Sequence, residues 1–136
     1  MSLDSIRIAF YGTLKSTLET LSIPFRFESI REGDPIVSQD QLWVRAFLQP
    51  DESFQHSIGT STPLTRSTGL FVIEIYDREE KGFAEIFRTI DSVKPYFYRK
   101  TFDSGKISIS KINISKRSIV NGWISSVMTI SYIDNR

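Results

Sequence analysis

Residues 68–76 read TGLFVIEIY, and this short stretch decides the fold class. Side chains along a β-strand point to opposite faces in turn, so Phe71 and Ile73 share one face while Leu70 and Val72 share the other. Both faces are apolar at the start of the stretch, which is typical of a strand with neighbours on both sides. We therefore expect a central strand here.

A second strand is predicted at residues 42–49, which read LWVRAFLQ. The residues at 42, 44, 46 and 48 are all apolar and make a core face. The opposite face carries Trp43, Arg45 and Phe47. This row is more aromatic than solubility requires, so we expect another subunit or a neighbouring element to cover it. A helix of the same chain is an equally good candidate for that cover.

The segment between these strands, residues 50–66, is rich in Ser and Thr and contains Gly59 and Pro63. It is long for a hairpin connection. We expect a loop that is mobile in a free subunit and becomes ordered when a neighbour covers it.

Helical spacing of apolar residues predicts two helices, at residues 6–21 and 83–93. Pro24 and Pro95 stop them, because the residue before a proline avoids the α region. A short strand-like piece around Phe25 and Phe27 follows the first helix. The fold expected for residues 1–136 is a single α+β domain, a mostly antiparallel sheet with two helices packed on it.

The last third predicts strands at residues 106–110 and 123–133. The Asn-Gly pair at 121–122 is typical of a two-residue hairpin turn. Such a turn would place Met128 opposite Ser115, and the apolar faces of the two strands would disagree. We therefore expect an irregular connection from 110 to 122, with the basic residues at 111, 116 and 117 on a solvated loop.

Composition excludes several kinds of chemistry. The chain has 136 residues and no cysteine, so a thiolate metal site and a Cys nucleophile are impossible. His56 is the only histidine, which excludes a multi-His metal site, and no Gly-x-Ser-x-Gly motif accompanies it. A formal net charge of +1 lacks the excess of a dedicated nucleic-acid binder. We expect no enzymatic activity, no metal and no cofactor.

No targeting signal is recognised. The first residues lack a basic segment followed by an apolar run, and no apolar stretch approaches the roughly 20 residues that span a bilayer. We expect the protein to be made in a cytoplasm, with no membrane partner.

Several short motifs, in this order, resemble the tail terminator (tail completion) proteins of long-tailed bacteriophages. The quoted motifs are Trp43-Val44-Arg45, the run Gln55-His56-Ser57-Ile58-Gly59, the strand from Arg66 through Gly69, Gly82 before the second helix, Gly122-Trp123 and the final aromatic Tyr132. The resemblance spans almost the whole chain. Ser and Lys replace the family's proline-rich approach to the last strand.

The resemblance implies a structural role in the virion. Such proteins form a ring, usually a hexamer, on the head-proximal end of the tail tube. The ring stops addition of the major tail tube protein and offers its other face to the head-tail connector or stopper protein. DNA is expected only as cargo in the lumen. The expected location is the tail, after assembly in the host cytoplasm.

Candidate interface residues come from the aromatic strand face and the adjoining segment, since aromatic and Arg side chains most often anchor interfaces. They are Trp43, Arg45, Phe47, Phe54, Gln55, His56 and Arg66. The alternatives are another phage neck or tail-tube-like structural protein and, less favoured, a small ligand-binding or enzymatic α+β domain. The genes that flank this one would discriminate between these classes.

Overall fold

Two helices and six strands make up the described part of the computed structural model, residues 2–27, 41–55, 65–116 and 122–135. The helices are α1 (Ser2–Thr20) and α2 (Ala84–Val93), and short 3₁₀ turns at Glu79–Lys81 and Lys94–Tyr96 flank α2. The strands are β1 (Phe25–Phe27), β2 (Trp43–Gln55), β3 (Thr65–Arg78), β4 (Thr101–Phe102), β5 (Ile107–Lys116) and β6 (Trp123–Asn135). The predicted α+β class is confirmed.

The six strands form one sheet in the order β1-β2-β3-β6-β5-β4. β1 runs parallel to β2, and every other pair is antiparallel. β3 lies between β2 and β6, as the apolar residues on both of its faces predicted. β2 and β5 therefore lie towards opposite ends of the sheet.

Both helices pack on the same face of the sheet, which we call the helix face. Phe10 of α1 stacks on Phe71 with ring centroids 5.3 Å apart and meets the edge of Tyr132 at 5.5 Å. Ile86 and Ile90 of α2 belong to the same buried cluster. Burying each large apolar side chain contributes roughly 1.5–3 kcal/mol, so this layer holds most of the stabilising burial.

The β2–β3 hairpin is longer than predicted. β2 continues to Gln55 and β3 begins at Thr65, so the loop predicted over residues 50–66 is wrong at both ends. The pairing shifts register between Pro50 and Ser53. Pro50 has no N–H to donate to a ladder, and a bulge lets pairing resume beyond it. Residues 56–64, including His56, lie outside the described residues.

β5 is also longer than predicted, and the expected loop over residues 111–116 is wrong. Ile112 pairs with Ile130 and Ile114 with Met128, one residue away from the register of a two-residue Asn-Gly turn. A further register shift between Ile109 and Lys111 keeps the apolar residues on one face. The bulge and the one-residue change of register thus place the apolar side chains of β5 and β6 on the same face.

Candidate assembly surface

The predicted interface row lies on the far face, the face of the sheet opposite the helices. Trp43 stacks on Tyr76, its direct neighbour on β3, with centroids 4.5 Å apart and planes at 12°. Trp123 meets Trp43 edge-on at 6.4 Å. Trp43 is only 3% exposed. Cross-strand aromatic rings pack against it, and neither helix lies on this face.

Arg45 forms an ion pair across the same two strands. Its Nε lies 2.8 Å from Oε1 of Glu74, the residue directly opposite on β3. The N–H is not aligned with that oxygen, so the contact is electrostatic rather than a well-formed hydrogen bond. The Glu74 side chain is 3% exposed and that of Arg45 23%. The guanidinium, which also lies 5.1 Å from the Phe47 ring centroid, compensates a buried carboxylate.

The other predicted residues lie elsewhere on the hairpin. Phe54 pairs with Arg66 and Gln55 with Thr65 at the far end of β2 and β3. Nε of Arg66 donates a long hydrogen bond, 3.4 Å, to Oδ1 of Asn135. At roughly 3.3 Å per residue, Phe54 lies about 23 Å along β2 from Phe47 and about 36 Å from Trp43. The structure therefore separates the candidates into two groups, and their contact with another subunit stays a prediction.

Gly69 and Tyr132, two residues of the quoted motifs, are direct partners on β3 and β6. A Cβ atom at Gly69 would lie 2.5 Å from the Tyr132 hydroxyl oxygen and 2.9 Å from the Gln49 carbonyl oxygen. The Tyr132 ring occupies the space of the missing side chain and is 1% exposed. The sequence alone did not pair these two residues.

At the β5 end of the sheet, most of the outer strand lacks a partner in the part of the chain that the structure describes, a feature that the sequence analysis missed. β4 covers only Ile107 and Ser108. The outer side of residues 109–116, which we call the β5 edge, has no strand partner within the described ranges. Ile114 is 44% exposed on this strand, and Tyr98 nearby is 49% exposed. Soluble proteins usually protect such edges from pairing with another chain.

The β5 edge is also basic. Lys94 Nζ lies 5.4 Å from the Tyr98 ring centroid and the Arg99 guanidinium 5.3 Å from it. Tyr98, Arg99 and Lys111 help to line a shallow pocket of about 270 Å³. Between residues 94 and 116 the chain holds one acidic residue and six basic ones: Asp103, then Lys94, Arg99, Lys100, Lys106, Lys111 and Lys116.

The β2 end of the sheet is different. β1 pairs along residues 44–46, the Leu48 N–H donates to the Tyr11 hydroxyl at 3.2 Å, and Pro50 has no N–H. These features close the near part of the β2 edge. Beyond them, Asp51 and Glu52 lie at the register shift of β2, and residues 53–55 pair with β3 and with no other described strand. The two ends of the sheet therefore differ in shape and in charge.

The described residues form a groove, but they offer no cluster of metal ligands and no membrane-spanning helix. The groove, of about 450 Å³, crosses four strands and contains no Asp, Glu, Lys, Arg or His; it is lined by Gln49, Pro50, Thr68, Gly69, Leu70, Ser110, Ser131, Tyr132 and Ile133. No set of three His, Cys, Asp or Glu residues that could hold a metal ion occurs in the ranges searched. Among the described helices, none combines the length and hydropathy needed to cross a membrane.

Comparison with known proteins gives a fold and no function. No family model matches the chain, and no curated protein matches it. Among 29 matching solved chains, one that bears no functional name aligns over 100% of this chain and 96% of its own length. Its TM-score is 0.70 and its sequence identity is 15%. At that identity the likeness establishes a common fold alone.

Proposed function

We propose that the chain is a phage tail terminator. Copies of it form a ring, a hexamer by resemblance to the family, on the head-proximal end of the tail tube. The ring stops polymerisation of the tube and provides the docking surface for the head-side connector or stopper. The protein has no catalytic role in this proposal.

The observation that carries the proposal is the pair of unlike sheet ends. The β5 edge, residues 109–116, is basic and has no strand partner among the described residues, while the β2 end is closed near β1 and acidic farther out. A subunit with two different ends suits head-to-tail contact, because a heterologous contact with the right rotation closes into a ring. An enzyme or a ligand-binding domain does not need such ends.

The motif residues also support the proposal as a set. Trp43 and Trp123, 80 positions apart in sequence, meet at the far face. Gly69 and Tyr132 fit together across β3 and β6. Short motifs are weak evidence one at a time. Motifs that meet in the folded chain are stronger evidence that the resemblance concerns one structural unit.

Tube growth in the presence of the chain tests the function. The major tail tube protein encoded nearest this gene would be polymerised with and without the purified chain, and tube lengths measured by electron microscopy. We expect short tubes that carry a ring at one end, and connector protein that binds capped ends only. Copolymerisation along the tube would instead support a tube-like subunit, and the absence of any tail gene nearby would favour the enzyme class.

A further inference from the structure

We infer that the β5 edge is one half of the contact between neighbouring subunits, and that its occupant is the outer part of β2, residues 51–55, of a second copy of this chain. This inference rests on the proposed function, because it names the contact that would hold the ring. Backbone direction, charge and placement in the sheet each support this contact.

The outward backbone N–H and C=O groups of β5 can pair with an extended peptide. The Ser126 hydroxyl donates to the Ser115 carbonyl at 2.7 Å, so Ser115 turns its carbonyl towards β6. Backbone groups alternate in direction along an antiparallel strand. Ile112 and Ile114 therefore turn their N–H and C=O groups outward, away from β6. Only another strand can pair with such a row, as in β-strand addition.

The basic side chains beside the β5 edge favour an acidic strand as the partner. Arg99 and Lys111 border the pocket beside the edge, and the surrounding segment is basic with Asp103 as its single acid. A nucleic acid would satisfy these charges, but its phosphates cannot pair with a row of alternating backbone donors and acceptors. A strand with carboxylates satisfies both demands.

Placement in the sheet points to a second copy. Asp51 and Glu52 follow Pro50 on β2, beyond Leu48, whose N–H donates to the Tyr11 hydroxyl. They therefore lie outside the closed part of that edge. β2 and β5 lie towards opposite ends of the sheet, so one copy cannot join its own two ends. Each added copy leaves one end unused until the ring closes.

A pair of proline variants tests the strand contact. Proline is tolerated at an edge position whose N–H faces outward, and it breaks a ladder where the N–H faces a neighbouring strand. Ile114→Pro should leave the subunit folded and raise the concentration needed for assembly at least tenfold, measured by native mass spectrometry. Asn113→Pro, one residue away and opposite Thr129, should lower the melting temperature markedly. Wild-type assembly by a folded Ile114→Pro subunit would overturn the inference.

A charge exchange tests the choice of partner. Lys111→Glu and Asp51→Lys should each weaken assembly at least tenfold, and an equimolar mixture of the two variants should restore it, because alternating copies place opposite charges at every contact. Lys15→Glu, on the exposed side of α1, is the matched control and should assemble as wild type does. Two weak variants that fail to rescue each other would refute the proposed pairing.

The outcomes separate this inference from the proposed function. If wild-type rings cap tubes and the variants do so equally well, the contact is wrong and the function stands. If the variants behave as expected and rings never cap tubes, the function is wrong and the contact stands. If Lys111→Glu lowers binding of a DNA oligonucleotide and leaves assembly unchanged, the edge binds nucleic acid and the inference fails. A wild-type chain that stays monomeric with and without tubes contradicts both.

Discussion

Gly69 has no room for a side chain, because the Tyr132 ring and the Gln49 carbonyl fill the space beside it. We expect Gly69→Ala to destabilise the subunit by about 1–3 kcal/mol, the usual cost of forcing extra atoms into a packed site. Gly12→Ala is the matched control, since no atom lies within 4 Å of its Cβ position on α1. That change should stabilise the helix by about 0.5–1 kcal/mol. Urea unfolding of both variants measures the difference, and equal stabilities would contradict the packing described.

The Arg45–Glu74 ion pair gives a second prediction for single residues. Glu74→Gln should lower the free energy of unfolding by about 1–3 kcal/mol. This is less than for a fully buried pair, because the Arg45 side chain remains 23% exposed. Glu85→Gln removes the exposed Arg88–Glu85 pair of α2 and should change stability by less than about 0.5 kcal/mol. Thermal unfolding compares the two, and a Glu74→Gln variant as stable as the control would show that the pair does not stabilise the fold.

The burial of Trp43 changes how the predicted interface row is best tested. Because Trp43 stacks on Tyr76 and is 3% exposed, truncating it should destabilise the subunit itself by about 3–5 kcal/mol. Phe47, which is half-buried at the same face, is therefore the better probe of a contact there. If the row meets a neighbour, Phe47→Ala should raise the concentration needed for assembly while changing the melting temperature only slightly.

The bulge in β5 gives a prediction for a whole element. Deleting Ser110 removes the extra residue that keeps Ile107 and Ile112 on the helix face. One part of the strand must then turn its apolar side chains away from the core, at a cost of at least about 2 kcal/mol. Ser110→Ala keeps the bulge and loses only an exposed hydrogen bond to the Ser131 carbonyl, so it should change stability by less than about 0.5 kcal/mol. Chemical denaturation distinguishes them, and a stable deletion variant would refute the register.

The elements differ in how far the sequence could predict them. Alternation at residues 68–76 is a local signal, and it placed β3 at the centre correctly. The outer half of β5 has no such signal, because its register depends on β6 and on a bulge. Pro50 and the polar residues after it favour a loop locally, yet cross-strand pairing extends β2 to Gln55. Tertiary pairing thus overrides local preference at these strand ends.

At the scale of the whole molecule, net charge concealed the feature on which the account depends. The formal charge of +1 is the sum of a basic segment at 94–116 and an acidic remainder. The two ends of the sheet can be identified only once the strand order is known. The aromatic row, in contrast, was visible in sequence and lies in contacts within one subunit. Sequence patterns find packed residues more readily than they find an unpaired edge.

The central claim, that this chain closes a ring on the head-proximal end of a tail tube, is tested most directly by tube growth in its presence. Tubes of the cognate tail tube protein would be grown with the 15.6 kDa chain and imaged, and the mass of the cap determined. We expect a single ring of six copies at one end and no further elongation at that end. Tubes that lengthen at both ends and carry none of the chain would contradict it.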